Sequence, residues 1–204
     1  MKFFADTADI SEIRDLADFM QQPPAPGQQD VPVWRVLHAL ATNMVPIVAA
    51  VHGNAVGIGT TMLFHCDLVV AEEGSRFHMP FTDLGLVPEA ASSLLLPQMA
   101  GRRVAARHLL LGEPFTVDEA ERYGLVSHRA SAGSLEERLE GVVANLLSKP
   151  PQALRLTQAL LRGNEHDHVL QRMTWENGHF SERLGSDEVR EAITRFFSAR
   201  AAKG

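Results

Sequence analysis

Cysteine is almost absent. Cys66 is the only one in 204 residues, so no disulfide can form within the chain, and a reducing cytoplasm fits better than secretion. Its side chain is expected to be a small buried apolar group rather than a nucleophile. Long apolar runs are absent as well: no uninterrupted stretch reaches the roughly 20 residues of a membrane-spanning helix. At the N-terminus Asp6, Asp9 and Glu12 stand where a secretory signal would carry basic residues and then an apolar segment. There is no basic surplus, with 19 Lys and Arg against 25 Asp and Glu and a net charge of −6. The basic residues are scattered, so neither nucleic acid nor an anionic membrane is the expected partner. Together these shortages describe a soluble, cytoplasmic protein whose partner is a small molecule or another protein chain.

What is present suits one core with a helical extension, at 45% hydrophobic residues. Met1 to Ala5 reads as a strand, and Ile10, Ile13, Ala17 and Met20 recur at helical spacing, leaving Asp6 to Asp9 as an acidic loop between them. QQPPAPGQQD, residues 21–30, offers nothing to bury and reads as a surface connector. Trp34, Leu37, Ala41 and Met44 predict a helix ended by Pro46. PIVAAVH then predicts a strand buried on both faces, as parallel sheets require.

After GNAVGIG the chain turns helical, then DLVVA and RFHM give two more strands, so residues 46–79 form one coil of a layered α/β domain. EAASSLLLPQMAG, GRRVAARHLLLG and TVDEAERYG predict three short helices, followed by a lone strand in GLVSHRA. Three longer helices are expected over 134–200. The organisation expected is a core over 1–133 and a helical region over 134–204. Leu135, Leu139, Val142, Val143 and Leu146 form an apolar stripe that one small domain would leave uncovered, which predicts a homo-oligomer.

Two features carry chemistry. GNAVGIG lacks the lysine and hydroxyl of a P-loop and the spacing of a dinucleotide fingerprint, so its helix-start amides suit a developing oxyanion better than a phosphate. Glu89 follows Pro88 at the expected start of an apolar helix, and apolar surroundings raise a carboxyl pKa while the helix dipole opposes the rise. Glu89 is therefore a candidate general acid or base. Asp83, before Gly85, reads as a turn residue. His38, His52, His65 and His78 sit singly on apolar elements, and His166 and His168 lack metal-ligand spacing, so no metal site is expected.

From Pro46 onward the order of PIVAAVHGNAVGIG, CDLVVA, RFHMPF, LGLVPE, LLLGEPF, EAERYGLV and KPPQAL resembles the enoyl-CoA hydratase/isomerase, or crotonase, family. The resemblance implies an α/β ClpP/crotonase-like spiral of ββα units with a helical C-terminal trimerisation region, a trimer or hexamer, and acyl-CoA thioesters as substrates with no permanently bound cofactor. It places one oxyanion amide at Ile58. The two hydratase glutamate positions match Thr61 and Phe81, whereas Glu89 matches the carboxylate of the Δ3,Δ2-enoyl-CoA isomerases. The implied reaction moves a double bond from C3 to C2, with an enoyl-CoA hydratase and a catalytically impaired acyl-CoA-binding member as alternatives.

FADTADI fits the family's F-x-A-G-x-D-[LI] loop, with Asp6 supplying the second oxyanion amide and Thr7 standing where glycine is usual. Substrate or coenzyme A contacts are then expected at Thr7, Ala8, Asp9, Ile10, Val56, Gly57, Phe81, Leu84, Pro88, Phe196 and Arg200. Family members begin earlier, so this chain is expected to be short at its N-terminus. Residues 1–18 also resemble a transaldolase N-terminus. That reading needs a Schiff-base lysine late on a barrel strand, and neither Lys149 nor Lys203 is so placed.

Overall fold

The structure, a computed structural model, describes residues 2–5, 32–163 and 165–201, with side chains over 32–163 and 166–195. The expected acidic loop, first helix and proline-rich connector lie outside the described residues.

Four strands, β1 (Lys2–Ala5), β2 (Val48–Val51), β4 (Leu68–Glu72) and β7 (His128–Ala130), form a wholly parallel sheet in the order β1-β2-β4-β7. β3 (Asn54–Val56), β5 (Arg76–His78) and β6 (Phe115–Thr116) form a second sheet, with β3 parallel and β6 antiparallel to β5. The chain crosses from the first sheet to the second twice, β2 to β3 and β4 to β5. Gly53 and Gly74 take φ of 68° and 87° at these corners, where the left-handed region favours glycine. A helical segment follows each crossing, so the ββα unit repeats.

Every residue of β2 is buried because both faces of its sheet are covered. One face meets the second sheet, where Val51, Ala55, Val69, Ala71, Phe77 and Phe115 share a core and the Phe77 and Phe115 rings stack at 5.3 Å. The other face is covered by α6 (Leu135–Leu147), which lays Leu135, Leu139 and Val142 on Val48, Ala50 and Val70. Val143 and Leu146 pack at the edge of the same cluster. The stripe read as uncovered is thus satisfied within the chain, because the helix that carries it returns to the sheet. The strand near residue 128 is not alone either; it pairs with β4.

The remaining helices are α1 (Pro32–Thr42), α2 (Ile58–Thr61) with a 3-10 turn at Met62–His65, α3 (Ser92–Ala100), α4 (Arg102–Leu110), α5 (Val117–Tyr123), α7 (Pro151–Arg162), α8 (Glu165–Leu184) and α9 (Asp187–Ala201). Among the described residues four helices, not three, fill the C-terminal region, since Gly163 and the turn before Asp187 divide it further. α1 ends at Thr42, leaving Met44 exposed beyond the helical stripe. Its Trp34, Leu37, Leu40 and Ala41 form a cluster with Ile47, Ala90, Ala91 and Met173 of α8. That cluster backs the turn in which Glu89 lies.

Candidate active site

The site begins at the end of β3. Gly57 has φ 56° and ψ −119°, a conformation that side-chain-bearing residues rarely adopt, and its N–H donates to His78 O at 2.8 Å. Its carbonyl accepts from Thr60 N and Thr61 N, so Ile58 and Gly59 open α2 with N–H groups that have no protein acceptor among the described residues. Thr60 anchors this helix start to the second sheet, donating to Ala55 O at 2.6 Å and accepting from His78 N at 3.2 Å. The Ile58 side chain is partly exposed.

One helical turn further on, Thr61 Oγ1 donates to Glu89 Oε1 at 3.1 Å. The helix rise puts the Thr61 backbone about 4.5 Å along the axis from that of Ile58. Glu89 is 5% exposed, and burial pushes its carboxyl up to about 7. The Thr61 hydrogen bond opposes that rise, and the nearby Glu176 carboxylate reinforces it. A carboxyl poised there can both take and return a proton near neutral pH.

Glu89 is not on a helix. α3 starts only at Ser92, so the expected opposition from a helix dipole does not apply. Ala90 and Ala91 both adopt left-handed backbone, with φ of 57° and 56°, a costly conformation for alanine. Ser92 N and Ser92 Oγ close the turn onto Glu89 O at 2.9 and 2.6 Å. His65 Nε2 lies 2.8 Å from Ala90 O and must carry the proton there. Burial lowers the His65 pKa to about 4, so the ring is neutral. From α8, Glu176 Oε2 accepts from Ala91 N at 2.6 Å and Oε1 accepts from Ser93 N at 3.0 Å and from Ser93 Oγ.

Among the other residues expected at the site, Val56 and Gly57 lead into the amide at Ile58, and Phe81 is buried with its ring in a T-shaped contact with Phe180. Leu84 ends a 3-10 turn over Thr82–Leu84, and Asp83 lies in that turn with its carboxylate against Gly112, as a turn residue would. Pro88, with Leu86 and Val87, lines an open, mostly apolar cleft of about 340 Å³ that Pro97, Ala106 and Leu109 also line. Asp6, Thr7, Ala8, Asp9 and Ile10 lie outside the described residues; Phe196 and Arg200 fall in α9, with their side chains outside the description. The Cys66 thiol, pushed up to about 12 mainly by burial, is held by Met62 O and is no nucleophile.

Sequence reasoning missed Glu176 and His65, and it saw Thr61 only as a missing glutamate. Glu176 sits between Trp175 and Asn177 on a mostly polar helix, and nothing local distinguishes it. The arrangement as a whole links a buried carboxyl, through Thr61, to a short helix whose first amides are open to an acceptor.

The model of the family described as enoyl-CoA hydratase/isomerase matches residues 1–203. The chain is 38% identical over 124 residues to enoyl-CoA delta isomerase 2 of Rattus norvegicus, covering 61% of this chain and 32% of that protein. It is 28% identical over 204 residues to the short-chain-enoyl-CoA hydratase of Clostridium acetobutylicum, covering all of this chain and 76% of that protein. Among solved structures, OdaA of Pseudomonas aeruginosa superposes with a TM-score of 0.84 at 38% identity, over 89% of this chain and 73% of that one. The chain thus spans about a third of the rat relative and about three quarters of the clostridial one.

Proposed function

The chain belongs to the enoyl-CoA hydratase/isomerase family, and from that premise we propose that it is an acyl-CoA-binding enzyme that moves a double bond from C3 to C2 of an enoyl-CoA. The observation that carries this reading is that, among the described residues, Glu89 is the one carboxyl bonded to α2 and not taken up by backbone amides. Thr61 occupies one hydratase position and contributes only a hydroxyl; Phe81 occupies the other and contributes none. Glu176, the other carboxylate nearby, is taken up by backbone amides. Isomerisation needs one base, whereas adding water across a double bond needs the nucleophile and the α-proton handled together.

In the proposed reaction ionised Glu89 takes the C2 proton of a 3-enoyl-CoA. The electron pair moves into a dienolate whose thioester oxygen accepts from the Ile58 amide and from the amide assigned to Asp6. The proton returns from Glu89 to C4, leaving the double bond between C2 and C3, so the carboxylate is regenerated and no cofactor is consumed. Coenzyme A enters and leaves as part of the substrate. The mostly apolar cleft beside Pro88 is a suitable lining for the acyl chain. Homo-trimeric or hexameric assembly belongs to the same proposal.

The test is ultraviolet absorbance of the conjugated 2-enoyl thioester. Purified protein given a 3-enoyl-CoA is expected to raise it, and Glu89→Gln to reduce the rate at least 10³-fold, as for loss of an essential base. The match to a hydratase along the full chain supports a second reading, tested on the same sample: a 2-enoyl-CoA would then lose absorbance as water adds. Neither change in a well-folded protein would leave the impaired acyl-CoA-binding reading.

A further inference from the structure

We propose that Glu176 and His65 are positioning residues for Glu89, clamping residues 89–93 in the left-handed turn that aims its carboxyl at Thr61. The proposal rests on the reading of Glu89 as the proton shuttle. Its observations are geometric. Two successive alanines in left-handed backbone are held against their own preference, and both clamping side chains reach them from distant parts of the chain.

The hydrogen bonds are complementary. His65 donates to the carbonyl of Ala90, while Glu176 accepts from the amides of Ala91 and Ser93 and from the Ser93 hydroxyl. Three backbone groups, Ala90 O, Ala91 N and Ser93 N, are thereby satisfied, and the Ser93 hydroxyl with them. Both clamping residues are nearly fully buried, at 6% exposure each, and the proton transfer uses neither of them.

The pair also divides two carboxyls between two protonation states. Burial raises the Glu176 pKa too, but its three donors and Arg172 oppose the rise, so it is the better placed of the two to keep its charge. Glu89 has only Thr61 among the described residues and is the one that accepts the proton. The charged and titratable groups around the turn are Glu176 and Arg172 on α8, the latter donating to Ser93 Oγ at 3.3 Å, and His65 on the 3-10 turn. With the anion on Glu176, Glu89 stays neutral to a higher pH than burial alone would hold it.

Glu176→Gln keeps the shape but points an amide donor at a backbone N–H, so it must release one of the clamped groups. His65→Ala removes the donor to Ala90 O; His65→Gln restores it. In the full chain labelled with δ-13C glutamate, the Glu89 carboxyl resonance is identified by its loss in Glu89→Gln and followed against pH. The Glu89 midpoint is expected to fall by about one unit in Glu176→Gln, from loss of a like charge and entry of water. It should fall less in His65→Ala and return in His65→Gln. Isomerase kcat is expected to drop about tenfold to a hundredfold in Glu176→Gln and His65→Ala at near-constant KM, as misplacement of a base requires.

A midpoint and kcat within twofold of wild type in folded variants, with only the melting temperature lowered, would overturn the clamp. If Glu176→Gln does not fold, the His65 pair decides by the same criteria. A wild type without isomerase activity would refute the shuttle reading instead, and the carbon-13 titration would still judge the clamp.

Discussion

Glu89 carries a proton further up the pH scale in the folded protein than it would in the unfolded chain, and this makes stability depend on pH. Its carboxyl moves from the ordinary 4.5 to about 7 on folding, so between these values the folded state binds more protons than the unfolded one. Stability from this group is therefore full at acid pH and is lost as pH rises toward and through 7. The shift corresponds to about 3 kcal/mol of unfavourable burial of the charged form. Glu89→Gln keeps the Thr61 hydrogen bond and removes the charge. It is expected to melt close to wild type at pH 5 and to be more stable by about 1–3 kcal/mol at pH 8. Thermal denaturation at the two pH values measures this, and equal differences at both would refute it. The wild-type kcat/KM should rise with pH through about 7 and then level, because the base must be ionised to take the C2 proton.

The same scale shows why part of the site was legible and part was not. Glu89 could be found because a carboxyl among Pro, Leu and Val invites an explanation wherever it falls. The left-handed turn could not, because alanine gives no sign of positive φ as glycine would, and EAASS reads as a helix start on every local rule. Its clamp comes from Glu176, 85 residues beyond Ala91, and from His65, which alone resembles any core histidine.

At the scale of elements, α2 matters more than its four residues suggest, because its first amides are the proposed oxyanion donors. A Cβ on Gly57 would meet nothing within 4 Å, so Gly57→Ala tests conformation without steric clash. With φ at 56° and ψ at −119°, alanine there is expected to cost about 1–3 kcal/mol or to swing the Ile58 amide away. Isomerase activity should then fall while KM changes little. Unchanged kcat in a well-folded Gly57→Ala protein would dissociate the amide from the chemistry.

A second element-scale dependence runs through Arg162 at the end of α7. Its guanidinium donates to Leu40 O and Ala41 O at 3.3 and 3.0 Å and to His65 O at 3.2 Å, and it pairs with Asp67 at 3.5 Å. Asp67 in turn accepts from Ile47 N and Gln158 Nε2 at 2.7 and 2.6 Å. One side chain thus ties α7 to the end of α1 and to the 3-10 turn bearing His65. Arg162→Met fills similar volume but leaves these carbonyls and a half-buried carboxylate without their cation. It is expected to lower the free energy of unfolding by about 2–4 kcal/mol in urea, with an unchanged m-value. A loss under 0.5 kcal/mol would mean that water replaces the guanidinium.

At the scale of the molecule, the layered α/β order was readable because buried parallel strands carry a dense apolar signal, as VAAV and LVVAE do. How the terminal helices are used was not readable, since an apolar stripe looks the same whether it returns to its own sheet or meets another chain. α6 returns to its own sheet, so its stripe gives no support to assembly. α7 is different. Leu156, Leu160 and Leu161 are 57%, 81% and 75% exposed, and on an isolated chain they leave three large side chains in water on one helix. Covering each by a second copy of the chain would gain about 1.5–3 kcal/mol before the cost of association. The proposed trimer or hexamer predicts a light-scattering mass three or six times 22.4 kDa at micromolar concentration. Leu160→Glu, which places a charge where burial is expected, should shift that mass toward the single chain while leaving the melting profile of the core cooperative. A wild type that runs at one chain's mass, or a Leu160→Glu protein that keeps the assembled mass, would remove α7 as the contact.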